Sequence, residues 1–348
     1  MEMLETPVCG PASRRSRPGS VVLGKDHPFE RYSDLAVLDE ERVLVGCGGS
    51  LISSPRAVQV RRWPDLQWDS TLPAGADVFD VRPPELLASG PLWRGERQSA
   101  VRMDLDSGRV LAEYPLRPPF LLTDGGFIGC LRRRFDFETE PVTDPALLPP
   151  WPELAALVAT ARPLLVSCDW RGRVRWVLEV ARIAPEFSTV KALARTPEGT
   201  TFCVATERAL AEVDTGTGLV RWHQGWHDAP GTPFLAHAAV IADATRVVVA
   251  GHSDGQVAPL RVLDRTTRTV RFAGGASDAA ALDCLAFHGR TLLAGTRSGG
   301  LLLLDEAFTR REVRLSRAAV NQVLPVRGGV LAACNQRELR FLPLLDDE

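Results

Sequence analysis

Short apolar strand starts at near-constant spacing, one turn sequence repeated behind them and an orphan strand ahead of the first repeat predict an all-β fold. The expected architecture is a seven-bladed β-propeller of four-stranded blades. The starts are Asp34-Leu35-Ala36-Val37, Asp77-Val78-Phe79-Asp80-Val81, Pro119-Phe120-Leu121-Leu122, Val190-Lys191-Ala192-Leu193, Ala238-Ala239-Val240-Ile241, Leu282-Asp283-Cys284-Leu285 and Asn321-Gln322-Val323-Leu324. They lie about 39–48 residues apart except between 119 and 190, where the chain is longer by roughly 25–30 residues than one repeat. That excess reads as an insertion.

Within each unit the elements follow in a fixed order. A first apolar strand leads through a polar turn to a second strand ending in small residues, as in Leu44-Val45-Gly46-Cys47-Gly48, Val248-Val249-Ala250-Gly251 and Leu293-Ala294-Gly295-Thr296. A glycine-bearing turn then leads to a third strand ending in Asp, and a tight turn leads to the fourth. The clearest copies of that last turn are Asp104-Leu105-Asp106-Ser107-Gly108 and Asp214-Thr215-Gly216-Thr217-Gly218, with weaker ones at Asp169-Trp170-Arg171-Gly172 and Asp264-Arg265-Thr266-Thr267. Asp, Ser and Thr bond neighbouring backbone groups and Gly tolerates positive φ, so the run is a hairpin signal with a mechanism. The last unit offers only three strands, at 320–325, 329–333 and 338–342, while Ser20-Val21-Val22-Leu23 stands alone before the first full unit. Residues 21–23 are therefore expected as the outer strand of the final blade, which removes two exposed sheet edges. The domain reading is a flexible tail at 1–19 and one propeller at 20–348, with an acidic, helical insertion at about 135–163.

The Asp-x-x-[Ser/Thr]-Gly-x-[Val/Leu] turns and the stretch Ala250-Gly251-His252-Ser253-Asp254-Gly255 resemble WD-repeat and quinoprotein-like propellers. No unit shows both a Gly-His before its first strand and a Trp-Asp after its third, and the quinoprotein-like signature is carried in part, by Trp176 and Trp222 in fourth strands. The resemblance covers nearly the whole chain except 1–19 and the insertion. It implies a non-catalytic subunit of a larger system, regulatory or defensive in type, by fold-level analogy.

Composition narrows the partners. The net charge of −2 supplies no basic field for nucleic acid or an anionic membrane. Lys25 and Lys191 are the only lysines among 41 basic residues, an arginine bias that points to a GC-rich bacterial source. The seven cysteines (Cys9, Cys47, Cys130, Cys168, Cys203, Cys284, Cys334) never form a CxxC pair and mostly sit in apolar runs, which favours free buried thiols and a reducing cytoplasm. No signal peptide is read in the first 20 residues, and no apolar run approaches the roughly 18 residues of a membrane helix.

Three features stand out on the face expected to carry the insertion. The insertion holds Asp136, Glu138, Glu140, Asp144 and Glu153 against Arg162, with Phe135 and Phe137 at its start and Trp151 at its middle. Leu154, Leu157, Val158 and Ala161 share one helical face. It reads either as a helix packed on its own propeller or as an acidic, aromatic docking segment. The second feature is Trp222-His223-Gln224-Gly225-Trp226-His227-Asp228, which reads as plain loop packing, as a partner-facing aromatic loop through Trp226, or as a weak metal candidate through His223, His227 and Asp228. The third is Trp93 beside Arg94, with Arg97 and Arg132 to Arg134, read as local charge pairing or as a partner or phosphate patch. No Gly-x-Ser-x-Gly elbow, phosphate-cradling Gly-x-x-x-x-Gly-Lys loop or His-Glu-x-x-His helix is present. The expected function is accordingly a non-catalytic scaffold without cofactor that binds one or more proteins through the insertion face. A metal- or cofactor-dependent enzyme and a nucleic-acid-binding propeller are the alternatives.

Overall fold

The computed structural model describes residues 20–22, 31–48, 57–63, 65–72, 79–93, 97–131, 151, 154, 162–184, 188–225, 235–252, 260–273, 282–305, 310–335 and 338–344. Among them the strands form four-stranded antiparallel sheets, each assembled from consecutive strands except where the N-terminal strand joins the end of the chain. The first sheet holds β2 (Arg31–Val37), β3 (Arg42–Gly48), β4 (Ala57–Arg62) and β5 (Trp68–Leu72). The second holds β6 (Phe79–Arg82), β7 (Glu85–Trp93), β8 (Arg97–Asp104) and β9 (Val110–Tyr114). The third holds β10 (Arg117–Thr123), β11 (Gly126–Leu131), β12 (Leu164–Asp169) and β13 (Val174–Glu179). The fourth holds β14 (Val190–Arg195), β15 (Thr201–Thr206), β16 (Ala209–Asp214) and β17 (Val220–Gly225).

The fifth sheet is β18 (Leu235–Ala242), β19 (Arg246–His252), β20 (Leu260–Asp264) and β21 (Val270–Ala273). The sixth is β22 (Leu282–His288), β23 (Thr291–Thr296), β24 (Gly300–Leu304) and β25 (Arg310–Arg314). The last combines β26 (Val320–Val326), β27 (Gly329–Cys334) and β28 (Glu338–Pro343) with β1 (Ser20–Val22), whose Val21 lies opposite Leu339. The fold is an all-β propeller of four-stranded antiparallel blades.

The burial gradient across each sheet explains the sequence pattern. Second strands such as β3, β11 and β27 are covered on both faces and read as nearly continuous apolar runs. Fourth strands such as β9, β13 and β17 alternate or lie exposed, because their far edge meets no further strand of the sheet. The core lies between sheets. One apolar cluster joins the first and second through Leu44, Val60 and Leu86, and another joins the last and first through Tyr32, Val45, Leu331 and Leu339. The six cysteines among the described residues are free and buried, and burial pushes the Cys203 and Cys334 thiols up to about 12. These side chains act as small core hydrophobes.

The repeated Asp turn forms as the sequence requires. Asp214 Oδ1 accepts from the Gly216 and Thr217 backbone N–H groups at 3.1 and 2.9 Å, and Asp104 Oδ1 accepts from Ser107 N–H at 2.8 Å. Asp264 and Asp169 hold the same position in their own turns. These carboxylates are turn-formers.

Within the β11–β12 connection, Trp151 lies where the sequence did not place it. Sequence spacing placed it on the face where β11 ends, yet the Trp151 indole donates to the Gly172 carbonyl at 2.9 Å, in the β12–β13 turn at the other end of the strands. Trp151 and Leu154, partner contacts in one of the two readings of the insertion, are only 6% and 2% exposed and join the cluster of Tyr114, Phe127, Leu164 and Val166, as the packed reading requires of them. Their apolar surface is covered by the protein itself. Phe135, Phe137 and Leu157 lie outside the described residues, as do the tail 1–19 and most of the insertion.

Candidate functional site

The geometry that distinguishes this chain lies in the seams between sheets, where polar side chains bridge neighbours. On the inner strands, Asp34 Oδ2 accepts from Phe79 N–H in the second sheet at 3.1 Å. Its Oδ1 accepts from Leu35 N–H at 2.9 Å and from Gln322 Nε2 in the last sheet at 3.2 Å. Asp80 repeats the device, with Oδ2 accepting Leu122 N–H of the third sheet at 2.6 Å. Arg195 of the fourth sheet donates to Leu122 O at 2.5 Å and lies 3.6 Å from Asp80 Oδ2. Asn321 donates to Tyr32 O at 2.5 Å.

Farther out, Arg102 pairs with both carboxylate oxygens of Glu85, donates to Trp170 O at 3.1 Å and lies over the Trp170 ring at 4.6 Å. The Tyr114 hydroxyl donates to the same Trp170 carbonyl at 2.9 Å. Trp176 Nε1 donates to Thr215 O at 3.0 Å across the next seam. Arg265 then joins the fifth sheet to the fourth: it pairs with Glu198 and Glu212 and donates to Asp243 O at 3.1 Å.

Burial pushes the Asp34 carboxyl up to about 6, with the Asp80 charge adding to the rise and the three N–H donors resisting it. The Asp80 carboxyl is raised by burial too, against the opposing influence of Leu122 N–H and Arg195. A raised carboxyl pKa means that the fold favours protonated Asp34. Its stabilising contribution is therefore complete below about 4 and is lost as pH rises through about 6. Urea unfolding of the wild type and Asp34→Asn at pH values on either side of this window is the check. Relative to the variant, the wild type is expected to lose about 1–3 kcal/mol between the acidic and neutral ends. A wild type that gains stability over the variant on the same climb contradicts the assignment.

The remaining site candidates divide plainly. His223 lies exposed on β17 opposite Ala211, while Trp226, His227 and Asp228 are outside the described residues. Among the described residues no three His, Cys, Asp or Glu side chains gather as a metal centre. Trp93 ends β7 opposite Arg97, and Arg94 lies outside the described residues. Sequence reasoning passed over Arg102, Asp34, Asp80, Arg265 and Arg268. For Arg268 a signal existed, since the turns at Gly108 and Gly218 carry glycine where this one carries arginine.

No protein-family model and no curated protein matches the chain. Solved structures do. A chain of the crystal structure of a mitotic checkpoint complex aligns with a TM-score of 0.61 and 11% identity over 99% of both chains. The computationally designed Ika8 protein aligns with a TM-score of 0.57 and 12% identity, over 92% of this chain and 98% of that one. At such identities the likeness concerns the fold alone, a β-propeller of the WD-repeat type. No helix among the described residues is long and apolar enough to cross a membrane.

Proposed function

We propose that the chain is a non-catalytic interaction scaffold: a closed ring of seven blades, completed by β1, that holds one or more proteins in a bacterial cytoplasmic assembly. The observation that carries this reading is the series of polar bridges across the seams. Asp34, Asp80, Arg102, Trp176 and Arg265 each tie one sheet to its neighbour, so their hydrogen-bonding capacity goes into holding blades at fixed positions. A stiff platform loses little conformational freedom when a partner docks, which is the usual source of affinity in preorganised binders. The burial of Trp151 and Leu154 adds support, because it anchors the middle of the acidic, aromatic insertion on the protein's own core.

Affinity purification of the full chain from its native host, read by mass spectrometry, tests the proposal. The expected result is a stoichiometric protein partner that the double variant Phe135→Ser, Phe137→Ser loses while keeping the wild-type melting temperature. A chain that comes down alone with bound metal, small molecule or nucleic acid refutes it.

A further inference from the structure

The turn between third and fourth strands places one residue in the left-handed region in successive sheets. That residue is Gly108 at φ 66, Gly172 at φ 77 and Gly218 at φ 71, but Arg268 at φ 58 in the fifth sheet. At two of these turns the glycine lets an aromatic from the outer strand of the preceding sheet close over it. An added Cβ would lie 3.1 Å from the Tyr114 ring at Gly172 and 2.6 Å from the Trp176 ring at Gly218, whereas Leu72 would be in ordinary contact, at 4.0 Å, at Gly108. Trp222 holds on β17 the place that Trp176 holds on β13, each ending a Val-Arg-Trp run and facing the third strand of its own sheet. The turn next to Trp222 carries Arg268, and here the seam stays open. A cavity of about 320 Å³ is lined by Glu198, Glu212, Arg221, Trp222, Arg265 and Arg268 among others.

Backbone strain at Arg268 has no packing return. The other described non-glycine residue at positive φ, Leu66 at φ 57, is 2% exposed and belongs to the core cluster between the last and first sheets. Arg268 is exposed. A left-handed conformation disfavoured for a residue with a Cβ persists where the side chain has work to do. The charges of the cleft are not equivalent either. Glu198 and Glu212 are both engaged by Arg265, and Arg221 is held by Asp214 at 2.6 Å. Arg268 has no ion-pair partner among the described residues.

We propose that this cleft binds an acidic peptide segment, one carboxylate pairing with Arg268 and the neighbouring apolar stem lying against Trp222. A guanidinium is the side chain suited to hold a carboxylate through two parallel hydrogen bonds. The volume accommodates one or two side chains, and the lining is rich in charged groups, whereas sites for small organic ligands are mostly apolar. The assignment rests on the scaffold reading in that the ligand belongs to a partner protein, but it does not depend on the β11–β12 connection.

The test is fluorescence anisotropy with labelled hexaglutamate and hexaglutamine, at low salt. Wild type is expected to bind the acidic peptide in preference to the neutral one. Arg268→Gly is expected to weaken that binding about tenfold, the loss of one strong charge-assisted pair. The same variant is expected to melt about 1–3 °C higher, because strain is relieved and Trp222 closes over the turn as Trp176 does. Arg171→Gln, which removes an exposed charge from the equivalent turn of the third sheet, should leave binding unchanged. Equal affinity for both peptides, or equal losses in Arg268→Gly and Arg171→Gln, overturns the site. Displacement by free glutamate at peptide-like concentrations overturns the peptide assignment in favour of a small anion. Failure here with the Phe135 and Phe137 partner retained would remove the cleft and leave the scaffold standing.

Discussion

Trp151→Ala is expected to destabilise the protein by about 3–5 kcal/mol, the range for deleting a buried aromatic side chain. The indole is 6% exposed, packs with Tyr114, Phe127 and Leu164, and donates to the Gly172 carbonyl. Its removal opens a cavity between the second and third sheets and leaves that carbonyl without its donor. Trp151→Phe keeps most of the volume and loses only the hydrogen bond, so its cost should be smaller, about 1–2 kcal/mol. Chemical denaturation of the three proteins gives the comparison. The order alanine worse than phenylalanine worse than wild type marks Trp151 as an anchor. If alanine costs less than about 0.5 kcal/mol, the residue is a surface group, and its expected role as a partner contact returns.

The architecture was legible because its signals are local. The run at each expected strand start overlaps an inner strand, from β2 at Arg31–Val37 to β26 at Val320–Val326. The Asp turns owe their form to contacts two or three residues apart. The bridges between sheets have no local signature. Arg102 meets Trp170 across 68 residues, Arg265 meets Glu212 across 53, and Asn321 meets Tyr32 across 289. Nothing in the composition of a strand says which arginine will find a carbonyl in the next blade. Trp151 and Leu154 show a different limit. An apolar face spaced for a helix describes equally a segment that packs on its own domain and one that waits for a partner, and only burial separates the two. At Arg268 the reverse holds: the missing glycine was readable, but its consequence depends on Trp222 from another sheet.

Arg265→Met carries the other large expected effect, a loss of about 2–4 kcal/mol. The side chain is 10% exposed and serves four acceptors: Glu198, Glu212, and the carbonyls of Asp243 and Ala244. Glu198 is 41% exposed and recovers water when its partner goes, so its share of the loss is small. Glu212 is 21% exposed and also accepts from the Thr201 hydroxyl at 2.9 Å, so it remains as a half-buried charge facing an apolar replacement. That uncompensated carboxylate is the main term. Adding Glu212→Gln to Arg265→Met should therefore restore part of the stability, while Glu198→Gln in the same background should restore little. A double-mutant cycle on urea unfolding separates the two couplings. Near-zero coupling to Glu212, with a single-variant cost below about 0.5 kcal/mol, would reduce Arg265 to an ordinary surface charge and take the seam between the fourth and fifth sheets out of the set of rigid joints on which the scaffold reading depends.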